Sequence, residues 1–517
     1  MTEERILILD LGSQYTQLIA RRTREVGIYS EVVRFDIPLE DIIAFKPKGI
    51  VLSGGPSSVY EKFSPSVNPQ IFELGIPILG VCYGMQLMVK HFGGKVEPSD
   101  AKEFGRAILE MDQENPAWLF EGIQEKEMPV WMSHGDKVVK IPEKFQQIAK
   151  TSNTEFAAIE SWDGQFLGIQ FHPEVHHTVH GKLMIENWVR KVCGCRGQYK
   201  LSSFIDRQVA EIQARVGPDD VVICGLSGGV DSSVAAAIVR KALGTIECVL
   251  VDHGLLREGE RQEVIDAFGG ELLVVDREKE FLKALKGVTD PETKRKIIGK
   301  EFIDTFKDVA NNLVHGHPKA FLVQGTLYPD VIESESVFSQ LTDVIKSHHN
   351  VGGLPEELGF ELIEPLRMMF KDEVREVGRE LGLPDALVMR QPFPGPGLAI
   401  RCLGEVTKER LRTVRQADAI VRFEIEMLYD DRENAPWQYY AALLPVKSVG
   451  VMGDKRTYEE TIVVRAVSSV DGMTADWSHL SYDLLSTISN RIVNEVTGVN
   501  RVVYDITSKP PGTIEWE

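Results

Sequence analysis

Cysteine is scarce in this chain: six in 517 residues, at Cys82, Cys193, Cys195, Cys224, Cys248 and Cys402. So thin and irregular a set is no disulfide framework, which leaves at most one or two thiols for chemistry. No stretch stays apolar for the roughly 20 residues that a spanning helix needs. The start, Met1-Thr2-Glu3-Glu4-Arg5, leads into the strand-like Ile6-Leu7-Ile8-Leu9 rather than a secretory leader, and the expectation is a cytoplasmic protein. Basic residues are outnumbered, 58 against 77 acidic, for a formal charge of −19. That balance disfavours nucleic acid and membrane as partners, while a small anionic substrate can still be held by local basic groups. Also missing is any Gly-x-x-x-x-Gly-Lys-Ser/Thr string, so the chain has no Walker A loop.

What is present is too much for one core, and 517 residues make three domains the first expectation. Up to about Cys195, β-rich runs such as Gly49-Ile50-Val51-Leu52 and Ile76-Pro77-Ile78-Leu79 alternate with glycine turns and helix-like stretches, the pattern of a mainly parallel sheet. A polar linker around Cys193 to Gln198 precedes a second such series, which opens at Asp220-Val221-Val222-Ile223-Cys224. A Pro/Gly-rich stretch from Gln391 to Gly397 announces a last segment. It has strand patterns near Ile462 to Arg465 and Arg501 to Tyr504, and helical periodicity from His479 to Val496. The expected division is 1–197, 198–392 and 393–517, two α/β domains followed by a smaller α+β domain.

In the first region, Gly80-Val81-Cys82-Tyr83-Gly84 sits between a strand and the helical run Met85 to Lys90, the layout of a nucleophile elbow. Its glycines permit the tight turn, which exposes Cys82 at a helix N-terminus, where free amides favour a thiolate. Attack on an amide carbonyl needs oxyanion donors. The Tyr83 amide is one candidate, and the turn Ser53-Gly54-Gly55-Pro56 offers the other. It also needs a base with an orienting carboxylate. Phe171-His172-Pro173-Glu174 and Ser133-His134-Gly135-Asp136 both place an acid two residues beyond a histidine, and spacing does not choose between them.

In the second region, the strand ending at Cys224 is followed by Gly225-Leu226-Ser227-Gly228-Gly229-Val230-Asp231-Ser232-Ser233 and then a helix-forming run. Paired glycines let amides approach phosphate oxygens, the serines donate hydrogen bonds, and the helix N-terminus adds positive potential. Asp231 is placed to hold Mg²⁺ against phosphate, since that hard cation favours a carboxylate with phosphate ligands. The plain alternative is a capped glycine turn.

These strings carry family resemblances. Ser53 to Pro56, Gly80 to Gln86 and His172-Pro173-Glu174 resemble the class I glutamine amidotransferases. That likeness implies Cys82 as nucleophile, His172 as base and Glu174 as its orienter, with Gln86, Ser133 and His134 around bound glutamine. Ser227 to Ser232 is similar to the Ser-Gly-Gly-x-Asp-Ser signature of the Rossmann-like ATP pyrophosphatases, which implies an ATP site over Ser227, Gly228, Gly229, Val230, Asp231, Ser232 and Ser233. It further implies that Val251 to Gly254 lies near the nucleoside and Lys371 near the leaving pyrophosphate. A processed N-terminal cysteine is absent, which disfavours the asparagine synthetase type. The Cys-Glu-Lys set of the nitrilase-type amidases that accompany NAD synthetases is not found at the elbow. Pro392 to Arg401 and Ile506 to Glu517 resemble the GMP synthases, which implies an acceptor, xanthosine monophosphate (XMP), contacted by Arg295, Lys509 and Glu515. It also implies a homodimer through the last domain. A binding-only sensor would be expected to lose at least one of Cys82, His172, Glu174 and Asp231, and all four are present.

Overall fold

Short valine, isoleucine and leucine runs closed by glycine stack as parallel strands, because strands covered on both faces read as continuous apolar sequence. The computed structural model describes residues 4–112, 117–197, 199–335, 360–429, 435–452, 454–469, 475–509 and 511–517. Gln198 and Pro510, which fall within the stretches singled out above, lie outside the described residues. The chain divides into two units, one built from the residues up to Phe204 together with the helix Tyr328–Glu335, the other from Ile205–Leu327 and the chain from Phe360 to Glu517.

The first unit holds a nine-stranded sheet. Its strands are β1 (Arg5–Asp10), β2 (Tyr29–Arg34), β3 (Gly49–Leu52), β4 (Ile78–Val81), β5 (Lys95–Met111), β6 (Glu127–Lys140), β7 (Phe145–Lys150), β8 (Ala158–Ser161) and β9 (Phe166–Ile169). Five run parallel in the order β2-β1-β3-β4-β9. The sheet then continues antiparallel through β8, β7, β5 and β6. The sequence reading did not anticipate that extension. The helix Tyr83–His91 buries Met85, Met88 and Val89 in the core formed with Leu7, Leu9, Ile50 and Leu52. Each such side chain contributes roughly 1.5–3 kcal/mol on burial.

The second unit has an all-parallel five-stranded sheet, β10 (Val221–Leu226), β11 (Glu247–Asp252), β12 (Leu272–Asp276), β13 (Ala320–Val323) and β14 (Glu361–Ile363). The order β12-β11-β10-β13-β14 puts β10 at the centre, where successive strands turn to opposite sides. A crevice opens at the strand ends of such a switch point, and residues 227–229 leave β10 there. A second sheet centres on β16 (Lys455–Ser468). Antiparallel β15 (Gln438–Met452) and β17 (Asp476–Trp477) pair with it, as does parallel β18 (Val499–Asp505). The helix Tyr482–Glu495 falls within the stretch whose periodicity predicts it. One apolar cluster runs from Val221 and Ile223 through Leu398, Leu411 and Val414 to Ile462 and Ile492, so this unit's core is continuous across the expected 392/393 boundary.

Candidate active sites

Backbone packing, before any side chain acts, shapes the elbow in the first unit. A Cβ on Gly80 would lie 2.7 Å from the Met85 amide nitrogen, and one on Gly84 would lie 2.2 Å from the Leu52 carbonyl oxygen. Only glycine fits either place. Between them Cys82 is forced to φ 50°, ψ −104°, a region that costs a non-glycine residue on the order of 1–3 kcal/mol. The surrounding sheet holds it there: the Cys82 amide donates to Ile169 O at 2.7 Å and the Gly84 amide to Ser53 O at 3.0 Å.

Around Cys82 the side chains are buried and locked. Cys82, His172 and Glu174 are 4%, 3% and 1% exposed. His172 Nδ1 and Glu174 Oε1 are 2.7 Å apart, and the Cys82 sulfur acts electrostatically on the same imidazole. Burial opposes a charged imidazole, but the Glu174 carboxylate and the Cys82 sulfur outweigh it and hold the His172 pKa well above the usual histidine value. The ring is fixed on its edge by Tyr15, with centroids 5.1 Å apart, while Thr178 Oγ1 donates to the His172 carbonyl. Glu174 Oε2 is buried without a hydrogen-bond partner.

The two candidate histidines have different partners. His134 does not use Asp136's carboxylate. Its Nε2 lies 3.2 Å from Glu103 Oε2 and its Nδ1 lies 2.9 Å from the Asp136 carbonyl oxygen. Glu103, on β5, also accepts from Thr151 at 3.0 Å and Thr154 at 2.6 Å. Burial pushes the Glu103 carboxyl up, but these hydrogen bonds, led by that of His134, prevail and bring it below the ordinary carboxylate value. Of the two, His172 is the one whose pKa the Cys82 sulfur raises. Ser133 meets the sulfur through its carbonyl oxygen, 3.6 Å from Cys82 Sγ. The Ser53 to Pro56 turn is as tight as the elbow: a Cβ on Gly55 would lie 2.6 Å from Leu11 O, and one on Gly54 would lie 3.1 Å from His172 Cε1. Gln86 is buried with its amide turned away from solvent, and Gln170, absent from the sequence reading, touches the sulfur.

The phosphate loop of the second unit is built differently. After β10, Gly228 takes φ 77° and Gly229 caps the helix Val230–Leu243, whose first turn carries Asp231. Its hydroxyls are satisfied within the loop: Ser227 Oγ and Ser232 Oγ are 3.3 Å apart, and Ser233 Oγ donates to Gly229 O at 2.9 Å. Lys371 opens the helix Lys371–Glu380 and donates to Asp231 Oδ2 at 2.6 Å, while Asp231 Oδ1 is buried and unpaired. Arg390 reaches the Gly228 carbonyl and pairs with Glu260 at 2.9 Å. With Arg257, Glu263, Arg422, Trp437 and Tyr439 it lines a cavity of about 510 Å³. His253, after β11, is buried and accepts from the Leu255 amide at 3.0 Å. Burial pulls its pKa down to about 4, against the opposing pull of Asp252 and Glu260.

The residues expected at the acceptor are separately engaged. Glu515 is gripped by Arg401 at 2.8 and 3.1 Å and by Gln438 at 2.8 Å. Lys509 forms a backbone bridge with Ala475. Arg295 pairs with Glu292 on the helix Pro291–Leu313. Its neighbour Lys294 faces the interior. It is fully buried and donates to Ala399 O at 3.2 Å, to Cys402 O at 2.9 Å and to the Glu517 carboxylate.

Residues 7–192 match the family model of class I glutamine amidotransferases, 199–264 that of NAD synthase and 426–516 that of the GMP synthase C-terminal domain. Three curated relatives are each described as a glutamine-hydrolysing GMP synthase. That of Brachyspira hyodysenteriae is 55% identical, over 99% of both chains. That of Caldicellulosiruptor saccharolyticus is also 55% identical, over 100% of both. That of Geobacillus kaustophilus is 54% identical, again over 100% of both. Likeness of that degree along the whole chain decides the family that the first two regions alone leave open: this chain belongs to the glutamine-hydrolysing GMP synthases, ligases with glutamine amidotransferase activity.

Proposed function

We propose that Cys82 attacks the side-chain amide of glutamine and that the ammonia released aminates XMP, activated by ATP, to give GMP, AMP and pyrophosphate. One observation carries this reading: a buried cysteine on a strained elbow acts electrostatically on His172, which is hydrogen-bonded to a buried carboxylate. In the first half-reaction the sulfur forms a bond to the amide carbon and the carbonyl electrons move onto oxygen, where the Tyr83 amide and the Gly54 turn supply donors. As the C–N bond breaks, His172 hands its proton to nitrogen and ammonia leaves. His172 then takes a proton from water, whose oxygen displaces the sulfur and frees glutamate. Glu174 keeps the imidazole oriented throughout.

In the second half-reaction the Ser227 to Ser233 loop holds ATP, with Lys371 beside its phosphates. Asp231 suits Mg²⁺, since one of its oxygens is buried and unpaired beside a phosphate-binding turn. When bound, the ion neutralises phosphate charge. The C2 oxygen of XMP attacks the α-phosphorus of ATP and expels pyrophosphate, which turns a poor leaving group into AMP. Ammonia then displaces AMP. Arg295, Lys509 and Glu515 contact the XMP, a pairing of cations with phosphate and of a carboxylate with base or ribose donors. We keep the division at 1–197, 198–392 and 393–517. We also keep a cytoplasmic homodimer joined through the last domain, which exposed Val446, Val449, Val451 and Tyr458 on β15 and β16 support. Among the described residues no helix is long and apolar enough to cross a membrane.

Product analysis tests the reading. Glutamine, Mg²⁺-ATP and XMP should yield GMP, AMP and pyrophosphate, and ammonium should replace glutamine. No GMP from ammonium would remove XMP as the acceptor.

A further inference from the structure

Gln170 follows β9, two residues before His172, and is fully buried. Its Nε2 lies 3.4 Å from Cys82 Sγ, as a donor to the sulfur. The direction of such an amide is set by its partners. Here the partners settle it in three steps. The Asp136 backbone carbonyl can only accept, so Gln86, 2.8 Å away, presents Nε2 to it. That nitrogen's second hydrogen points to Gln170 at 3.2 Å, so Gln170 faces Gln86 with Oε1. Gln170 must then face the sulfur with its N–H. The Asp136 carbonyl is itself tied to the His134 ring, and that ring to Glu103, so the line runs from a buried carboxylate to the nucleophile.

From this geometry we infer that Gln170 is a catalytic residue of the glutaminase reaction. Its amide N–H is donated to the Cys82 sulfur while that sulfur is negatively charged, and Gln86 holds the amide in the required direction. The inference rests on Cys82 being the nucleophile. The sulfur carries negative charge twice, before it attacks and again when water expels it from the thioester. A donor present at both moments favours the charged form and aims the lone pair. The Ser133 carbonyl on the opposite strand cannot do this, since it only accepts. The titratable side chain that acts on the sulfur is His172, with Glu174 behind it on the segment after β9, while His134 and Glu103, on β6 and β5, tie to the Asp136 carbonyl that holds Gln86. Gln170 is the neutral side-chain donor among them.

The test uses Gln170→Met, which keeps length and volume but offers no N–H, and Gln170→Asn, which withdraws the amide by one methylene. In the full-length enzyme, alkylation of Cys82 by iodoacetamide near neutral pH is followed by mass spectrometry, beside kcat and KM for glutamine and the rate with ammonium. Both variants should show alkylation and glutamine-dependent kcat lowered about 10-fold, as loss of a hydrogen bond to a charged group implies. KM should stay within about two-fold, and ammonium-dependent synthesis should be unchanged. Whichever variant keeps the unaltered protein's urea midpoint for glutaminase loss has a folded first unit and decides the matter. Unaltered alkylation and kcat, or a raised KM alone, would overturn the inference. Cys82→Ala separates it from the underlying reading: continued glutamine hydrolysis there would remove Cys82 as nucleophile, whatever Gln170 does.

Discussion

The two sites share a device, a strand running through a glycine turn into a helix, and differ in how finished they are. At Cys82 the partners are buried within a few per cent of full enclosure and bonded to one another, so packing alone sets the alignment. At the phosphate loop the serine hydroxyls face each other at 3.3 Å and the acid expected to serve a cation is paired with Lys371. The contrast follows from the chemistry. A sulfur nucleophile must be aimed before a neutral amide arrives, whereas a triphosphate brings charges strong enough to reorganise a loop and separate a part-exposed ion pair.

The contrast can be broken from either side. Glu174→Gln should lower glutamine-dependent synthesis by roughly 10³- to 10⁴-fold and leave the ammonium-dependent rate intact, as for an orienting carboxylate; steady-state rates with each nitrogen source check this. Asp231→Asn should depress both rates together, by about 10²- to 10³-fold, because it weakens the step they share. Gly84→Ala, with its Cβ against the Leu52 carbonyl, should destabilise the first unit by roughly 3 kcal/mol, read as a lower urea midpoint for glutaminase loss. The smallest effect concerns His253. Below the unfolded value of 6.5 the unfolded chain takes up a proton that folded His253 refuses until about pH 4. Stability therefore falls as pH drops through that window, by about 2 kcal/mol on reaching about pH 5. His253→Asn, which keeps an acceptor for Leu255, should flatten this acid limb in denaturant titrations.

Legibility in the sequence followed the locality of the cause. Cys82 and the Ser227 to Ser233 loop announced themselves because glycines adjacent in sequence make their turns. Spacing did not separate His134 from His172, since both have an acid two residues on, and only the family resemblance favoured His172; that His134 turns instead to Glu103 on the neighbouring strand β5 is a non-local contact that spacing does not carry. Gln170 gave no signal for the same reason, its direction being set by Gln86 and a carbonyl on β6. Lys294, between charged neighbours in sequence, is held in the interior by carbonyls and a carboxylate more than 100 positions away. The antiparallel half of the first sheet was missed because β5, with Pro98 and Gly105 inside it and charges along it, has no clean alternation.

The central claim is that one chain makes ammonia at Cys82 and consumes it at a separate ATP-dependent centre. The most direct measurement is GMP formation by the full-length enzyme and by Cys82→Ala, each supplied with glutamine and then with ammonium. The account requires that Cys82→Ala lose glutamine-dependent synthesis by roughly 10⁴-fold or more while its ammonium-dependent synthesis stays close to that of the unaltered enzyme. Glutamine-dependent GMP formation surviving in Cys82→Ala would contradict it.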